Sequence, residues 1–208
     1  MIMLARREPE FASILRAAEL VIPDGAGVVA ALQLQGISVQ RSPGIEIAET
    51  LIPWAASQSL TLAFYGGKPE VSAQAAQIWC SRCPDLQLIA DHGYLTPPEL
   101  ETWLQRLQSV QPQLVLVGLG SPRQEYWIQR HRHLLPQAIW IGVGGSFDIW
   151  AGVKQRAPYL WRASHLEWMY RLYQEPWRWQ RMLVLPHFAW LVLHSTLPFH
   201  HPHPDSHA

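Results

Sequence analysis

Cysteine, net charge and long apolar runs are all scarce in this sequence. Its two cysteines are Cys80 and Cys83, and because no second Cys-x-x-Cys accompanies them, we interpret them as reduced structural thiols. Sixteen basic residues balance sixteen acidic ones, which removes any overall charge argument for nucleic-acid binding. No apolar stretch reaches the roughly 20 residues of a membrane-spanning helix, and charged residues near the start interrupt any signal-peptide core. These absences favour a cytoplasmic protein.

Several familiar catalytic and nucleotide-binding motifs are also missing. The sequence contains no Gly-x-Gly-x-x-Gly fingerprint and no P-loop, so an NAD-dependent enzyme or a P-loop site is a weak hypothesis. It also contains no Asp-x-Asp pair and no Ser/His/Asp order of a known triad. We therefore expect no metal cofactor and look for the chemistry among acids and arginines.

Strand-like and helix-like patterns alternate through residues 1–157. Short apolar runs rich in branched residues are typical of buried parallel strands, and they occur at 60–67, 86–94, 114–117 and 138–145, with a shorter run at 20–22. Helical patterns lie at 9–20, 26–36, 69–80 and 97–110, and another helix follows Ser121, which is expected to cap it. This alternation predicts an α/β fold with a mostly parallel, doubly wound sheet.

The segment 158–195 breaks the alternation and differs in charge. Residues 1–153 contain ten Lys or Arg and thirteen Asp or Glu, a net charge of −3, whereas residues 154–195 contain six and two, a net charge of +4. This basic segment is also rich in tryptophan, a combination typical of helices that lie at a membrane interface. The alternative is a C-terminal helix packed on the protein's own core. Residues 196–208, rich in His and Pro, are predicted to form a disordered tail.

Glycine turns follow three of the predicted strands, at the edge of the sheet where α/β proteins bind ligands. They are Gly66-Gly67, Gly118-Leu119-Gly120 and Gly142-Val143-Gly144-Gly145. Glycines there let backbone N–H groups approach a phosphate, although such turns are common wherever a sheet meets a helix. Asp24 and Asp148 stand beside tight turns, where each is either a general base or a turn aspartate that hydrogen-bonds its own backbone.

Five blocks follow one another along the chain: PDGAGVV, FYGGKPEV with a following HGY, VGLGSPRQEYWI, IGVGGSFDIWAGVKQRAP and LEWMYRLYQEPWRWQR. In their order and spacing they resemble the WecG/TagA/CpsF glycosyltransferases. The resemblance implies a Rossmann-like enzyme that moves a sugar, commonly N-acetylmannosamine or its uronic acid, from a UDP donor to a polyprenyl-diphosphate-linked sugar. It further implies inversion, no Asp-x-Asp-bound metal, and action at the cytoplasmic face of the membrane in making teichoic acid or another exopolysaccharide.

The resemblance also assigns roles to residues. Asp24 falls on the position proposed as catalytic base, which takes the proton of the acceptor hydroxyl while UDP leaves from the opposite face. Gln124 falls on a polar residue of the substrate site and completes the candidate catalytic pair. The candidate substrate-binding residues are Arg41, Gly66, Gly67, Gly118, Gly120, Arg123, Glu125, Gly144, Gly145, Asp148, Arg171, Arg178 and Arg181. The last three fall on arginines thought to close over the diphosphate, whose charge guanidinium groups neutralise well.

The sequence departs from the family pattern at its start. Members usually have a strand and a Thr/Asn-bearing turn before the segment that matches MLARREPEF, and these are not found here. The main hypothesis is a UDP-sugar-dependent glycosyltransferase that contacts the membrane through segment 158–195. The alternative is a non-catalytic, N-terminally truncated relative that binds sugar nucleotide or membrane. A homo-oligomer is left open, and Arg41 is equally interpretable as a structural ion-pair partner.

Overall fold

The structure is a computed structural model of the chain, and it describes residues 1–164 and 166–196. These residues form two compact units. The first consists of Met1–Ile22 and Ser42–Arg156, and the second consists of Pro23–Arg41 and the chain from Ala157 onward. The predicted tail lies outside the described residues except for Thr196.

Helices and strands follow one another in the order that a βαβ pattern requires. The strands are β1 (Thr61–Gly66), β2 (Gln87–Asp91), β3 (Leu114–Gly118) and β4 (Ile139–Gly142). The α-helices are α1 (Ile2–Ala5), α2 (Pro9–Ala17), α3 (Ala26–Leu34), α4 (Gly44–Ser57), α5 (Val71–Arg82), α6 (Pro97–Val110), α7 (Arg123–His131), α8 (Ser146–Trp150), α9 (Tyr159–Ala163), α10 (Glu167–Gln174), α11 (Trp179–Met182) and α12 (Val184–Thr196). Short 3-10 turns lie at Arg132–Leu134 and Pro176–Arg178.

The strands form one all-parallel sheet in the order β2-β1-β3-β4. In register, Tyr65 of β1 lies beside Asp91 of β2, and Gly66 of β1 lies beside Gly118 of β3. Because the strands run in one direction, their carboxyl ends and the loops that follow them lie along the same edge of the sheet. The α/β class and the parallel sheet predicted from the sequence are confirmed.

Both faces of the sheet are covered by helices of the first unit. Successive residues of a strand point to opposite faces, so Leu62 and Phe64 join a buried cluster with α4, α5 and α8. Ala63 and Tyr65 join a second cluster with α6 and α7, in which Trp103 is 2% exposed. This double burial explains why β1 and β3 are continuous apolar runs in the sequence.

Helix α6 begins at the residue that the sequence predicted. The backbone N–H of Thr96 donates to Oε2 of Glu99 at 2.7 Å, and the Thr96 hydroxyl donates to the same oxygen at 2.8 Å. These contacts belong to a capping box, which satisfies donors that the first helical turn leaves without partners. The hydrogen bonds with Thr96 also lower the pKa of Glu99.

Two local predictions are wrong. Ser121 does not cap α7, because the helix begins at Arg123 after Pro122 and has no side-chain cap. The apolar run Leu20–Ile22 is not a strand. It pairs with no other strand in the described part of the chain, and Leu20 and Val21 are 80% and 63% exposed. A strand is held in a sheet by backbone hydrogen bonds to a neighbouring strand, so an apolar run without a pairing partner does not form one.

The described part of the second unit is helical. Helix α3 packs against α12, where a Cβ on Gly27 would lie 3.5 Å from the ring of Phe188. The rings of Trp161 in α9 and Tyr170 in α10 are in contact, with centroids 5.9 Å apart. None of the helices in residues 1–164 and 166–196 is both long and apolar enough to cross a membrane.

Candidate active site

Three loops meet at the carboxyl edge of the sheet. The N–H of Gly67, after β1, donates to the carbonyl of Gly118, at the end of β3, at 2.9 Å. The N–H of Gly93, after β2, donates to the carbonyl of Gly67 at 3.0 Å. The loops after β2, β1 and β3 are therefore hydrogen-bonded in the order that the strands have in the sheet.

Close packing explains two of the glycines predicted to bind substrate. A Cβ on Gly66 would lie 2.5 Å from the carbonyl carbon of Gly118, and Gly66 has a φ of +128°. A Cβ on Gly118 would lie 2.6 Å from the ring of Phe147. Gly120, by contrast, has a φ of +74° and no atom within 4 Å of a Cβ position. Packing therefore requires glycine at positions 66 and 118. Position 120 favours glycine only because of its positive φ.

Gln124 ties the start of α7 to the loop after β4. Its side chain is buried, with the residue 7% exposed. Oε1 accepts a hydrogen bond from the N–H of Gly144 at 2.9 Å, and Nε2 donates to Oε1 of Glu125 at 2.9 Å. The contact is close, because a Cβ on Gly142 would lie 2.5 Å from Nε2. Gln124 thus fixes the loop that contains Gly144 and Gly145, both predicted to bind substrate.

Glu125 and Arg123 flank Gln124 in the first turn of α7. Oε2 of Glu125 is buried and has no hydrogen-bond partner among the described residues. A buried carboxylate oxygen is costly without a partner, so Oε2 is a candidate acceptor for a ligand hydroxyl. Nη2 of Arg123 donates to the carbonyl of Leu119 at 3.0 Å and so braces the loop between β3 and α7.

Asp148 lies in the first turn of α8 and forms an ion pair. Its Oδ2 is 2.9 Å from Nζ of Lys154, and the backbone N–H of Lys154 donates to the carbonyl of Asp148 at 2.9 Å. These contacts close the loop that follows α8. They support the structural role among the two that the sequence left open for Asp148.

Tyr65, at the carboxyl end of β1, is a titratable residue that does not suit the role of a general base. Burial raises the pKa of Tyr65 to about 12, and the charge of Asp91 adds to the effect. The phenol therefore stays protonated at neutral pH. Its ring stacks on Trp127 of α7, with centroids 4.3 Å apart, which marks it as a core residue.

Asp24 lies in the second unit, in the turn before α3, where Arg41 holds it. Nε of Arg41 donates to the backbone carbonyl of Asp24 at 2.6 Å, and Nη2 donates to Oδ1 of Asp24 at 3.1 Å. The Asp24 side chain is nevertheless 51% exposed. Arg41 therefore holds Asp24 in place while half of its side chain remains open to solvent. A general base needs this combination of fixed position and access.

Arg41 has a second acidic partner, Glu167, the first residue of α10. Nη2 of Arg41 donates to Oε2 of Glu167 at 2.9 Å, and the Glu167 side chain is 4% exposed. Burial by itself lowers the pKa of Arg41, but interactions with Glu167, and then with Asp24, outweigh it and raise the pKa overall. Arg41 is therefore a lasting cation between two acids, which gives it the structural ion-pair role that the sequence left open.

Glu167 is the residue of this site that the sequence analysis missed. It stands in the block LEWMYRLYQEPWRWQR, which we interpreted through its arginines and tryptophans. The available signal was that Glu167 is one of two acids in residues 154–195, where six residues are basic. The side chains of Arg171, Arg178 and Arg181, in the same block, lie outside what the structure describes.

Metal ligands and cysteine thiols are the other side chains that could contribute chemistry. No three His, Cys, Asp or Glu side chains lie together there so as to hold a metal ion. Cys80 and Cys83 are both free thiols, as predicted. Burial, followed by the neighbouring Cys83, raises the pKa of Cys80, so its reactive thiolate is disfavoured.

Known proteins are similar to this chain over nearly its whole length. A model of the glycosyl transferase WecG/TagA/CpsF family matches residues 1–201. An N-acetylglucosaminyldiphosphoundecaprenol N-acetyl-beta-D-mannosaminyltransferase of Bacillus spizizenii is 34% identical over 96% of this chain and 77% of its own length. The enzyme of the same name from Bacillus subtilis is 34% identical over 91% of this chain and 74% of its own length. The chain therefore belongs to the WecG/TagA/CpsF family of glycosyltransferases.

Proposed function

We propose that this glycosyltransferase moves an N-acetylmannosamine-type sugar from a UDP-sugar to a polyprenyl-diphosphate-linked sugar, in the synthesis of a cell-surface polysaccharide. The observation that carries the proposal is the 34% identity to the two Bacillus enzymes over more than nine-tenths of the chain. Their name specifies an N-acetylglucosaminyldiphosphoundecaprenol acceptor and transfer of N-acetyl-beta-D-mannosamine. The transfer proceeds with inversion, and no metal cofactor takes part.

Asp24 is the general base of the proposed reaction. The acceptor hydroxyl gives its proton to the Asp24 carboxylate as its oxygen forms a bond to the anomeric carbon of the donor. The bond between that carbon and the UDP oxygen breaks on the opposite face, so the electron pair leaves with UDP and the configuration inverts. The half-exposed carboxylate, held by Arg41, supports this role.

The diphosphate of the leaving UDP must be neutralised without a metal. Guanidinium groups do this through charge-assisted, bidentate hydrogen bonds, and we assign the task to Arg171, Arg178 and Arg181. The loops after β1, β3 and β4 offer backbone N–H groups to the nucleotide. The buried Oε2 of Glu125 accepts a hydrogen bond from a ligand hydroxyl.

The reaction is proposed to take place at the cytoplasmic face of the plasma membrane, where a polyprenyl-linked acceptor lies. Large aromatic side chains of the second unit are exposed: Tyr173 by 83%, Trp177 by 69%, Trp190 by 55% and Trp179 by 54%. Rings that combine an apolar body with a polar N–H or O–H suit the depth of lipid headgroups. They support peripheral contact through segment 158–195.

A transfer assay tests the proposal directly. The full chain is given UDP-N-acetylmannosamine, UDP-N-acetylglucosamine or UDP-glucose, with a short-chain polyprenyl diphosphate that carries N-acetylglucosamine. We expect transfer from the first donor, inverted anomeric configuration by NMR, and the same rate in excess EDTA. Donor binding without transfer to any acceptor would favour the non-catalytic alternative. A rate that is lost in EDTA and restored by Mg²⁺ or Mn²⁺ would overturn the metal-free mechanism.

A further inference from the structure

We propose that Glu167 is a positioning residue for the base: it fixes Arg41, and Arg41 in turn fixes Asp24. The inference rests on the proposed function, because it takes Asp24 as the group that accepts the proton. It adds Glu167 to Asp24 and Arg41, two residues that the sequence analysis singled out separately.

The guanidinium of Arg41 makes the contacts that link Glu167 to Asp24. Nη2 of Arg41 donates both to Oε2 of Glu167, at 2.9 Å, and to Oδ1 of Asp24, at 3.1 Å. Nε of the same group donates to the Asp24 carbonyl at 2.6 Å. Because the guanidinium is planar and its donors are rigidly spaced, fixing it at Glu167 fixes both the backbone and the side chain of Asp24.

Burial decreases from the anchor to the proposed base. The exposed fraction of the side chain is 4% for Glu167, 14% for Arg41 and 51% for Asp24. An exposed ion pair holds a long side chain weakly, because solvent screens it and ordering it costs entropy. A buried carboxylate instead needs its cation, since an unpaired charge there is strongly unfavourable. We therefore expect the buried ion pair with Glu167 to hold Arg41 more firmly than the ion pair with the half-exposed Asp24 side chain.

Glu167 also shares the positive charge of Arg41. With Glu167 on the same nitrogen, Arg41 can orient Asp24 and leave half of its side chain open to an acceptor hydroxyl.

The first test compares Glu167→Gln and Glu167→Ala with the wild-type chain in the transfer assay. Displacing a catalytic group by about 1 Å costs on the order of a hundredfold in rate, so we expect kcat to fall by about tenfold to a hundredfold. Donor KM should stay within about twofold, because Asp24, the residue that Arg41 positions, acts on the acceptor hydroxyl and not on the donor. The decrease in kcat should be smaller for Glu167→Gln than for Glu167→Ala, because the glutamine amide oxygen still accepts a hydrogen bond from Nη2 of Arg41.

The matched control is Glu19→Gln, which makes the same chemical change in the ion pair that Glu19 forms with Arg132. The Glu19 side chain is 75% exposed, so we expect wild-type kcat. Where Glu167→Gln does not fold, Glu167→Asp keeps the buried charge and shortens the reach to Arg41. Its kcat should also fall at unchanged donor KM, and a wild-type kcat would overturn the proposal.

A double-mutant cycle separates positioning from a general loss of stability. If Glu167 acts through Arg41, the double variant Arg41→Gln/Glu167→Gln should have a kcat no lower than Arg41→Gln alone. Losses that multiply, or a Glu167→Gln variant with wild-type kcat, would overturn the inference. Absence of transfer by the wild-type chain would instead refute the proposed function, so the two failures are distinguishable.

Discussion

The side-chain oxygen of Gln124 accepts a hydrogen bond from the backbone N–H of Gly144, and so joins the start of α7 to the loop after β4. The other half of the amide is engaged as well, because Nε2 donates to Glu125. A residue that the resemblance placed in the substrate site thus has a defined task within the protein. Its substitution should act on the fold as well as on the chemistry.

Gln124→Ala should lower the free energy of unfolding by about 1–3 kcal/mol, since it leaves the Gly144 N–H without its acceptor. Urea denaturation measures the change. Gln137→Ala, at an exposed position, is the control and should stay within about 0.5 kcal/mol of wild type. If Gln124→Ala keeps wild-type stability while transfer is lost, Gln124 serves the substrate alone.

Gly66→Ala should be far more damaging than Gly120→Ala. At Gly66 an added Cβ meets the backbone of Gly118 at 2.5 Å, and φ is +128°. Together a strained backbone and overpacking give a loss of about 3 kcal/mol or more. At Gly120 the space is open, so the cost is that of the left-handed backbone, about 1–2 kcal/mol. Equal losses in thermal unfolding would contradict the packing argument.

The sequence predicted those parts of the fold that leave a periodic signal. Strands β1 and β3 are continuous apolar runs because both of their faces are buried. Helix α6 begins at Pro97 as its helical pattern predicted, and the structure adds the capping box of Thr96 and Glu99 that fixes this start. The run Leu20–Ile22 has the same apolar character as a strand, but it has no pairing partner among residues 1–164 and 166–196.

The resemblance supplied candidate site residues one by one, but it did not supply the long-range contacts between them. Arg41 and Glu167 are 126 positions apart, and Gln124 and Gly144 are 20 apart. A polar pair of this kind follows no periodicity, because it depends on how the elements pack. The sequence therefore supplied Asp24, Arg41 and Gln124 as candidates and left their partners undetermined.

The first unit should lose stability in mild acid through His131 of α7. Burial lowers the pKa of His131 below its usual value of 6.5, and the hydrogen bond between its Nδ1 and the Trp127 carbonyl opposes this shift only in part. The unfolded chain therefore binds the proton first as pH falls. The contribution of His131 to the free energy of unfolding is therefore fully present above about pH 7. It is lost as pH falls through 6.5 toward the folded-state pKa of His131.

Urea midpoints at pH 7.5 and 5.5 measure this loss. In His131→Gln the decrease between the two pH values should be smaller than in wild type, because the titrating group is gone. His187→Gln changes an exposed histidine of the second unit, which is not among the groups that shift the pKa of His131, and should keep the wild-type decrease. Equal pH dependence in wild type and His131→Gln would show that other groups govern stability in this range.

Asp24→Asn should keep the fold and the affinity for UDP-sugar and lower kcat by about 10²–10⁴-fold, the range typical of a lost acid–base group. The amide still accepts from Nη2 of Arg41, so the turn before α3 should keep its geometry. Asp85→Asn, which changes an exposed loop aspartate, is the control for loss of a carboxylate. Near-wild-type turnover by Asp24→Asn across the pH range would remove Asp24 from the mechanism.

The exposed aromatic residues of the second unit should mediate membrane contact. Point substitutions test this better than deletion of the C-terminal segment, because deletion would also remove Glu167 and release Arg41. Trp177→Gln and Tyr173→Gln change rings that are 69% and 83% exposed, so they should leave the fold intact. Each should weaken binding to anionic vesicles, because a large amphipathic ring at headgroup depth contributes apolar area that Gln does not replace.

Co-sedimentation with phosphatidylglycerol vesicles measures that binding, and turnover on a vesicle-embedded acceptor should fall in parallel. Trp54→Gln is the matched control, since Trp54 is 49% exposed on α4 of the first unit and should leave both quantities unchanged. Turnover on a short, water-soluble acceptor should stay at the wild-type level in all three variants, because their chemistry is intact. If Trp177→Gln and Tyr173→Gln sediment like wild type, these rings do not carry the contact. A fall in turnover on the soluble acceptor would instead place them near the substrates.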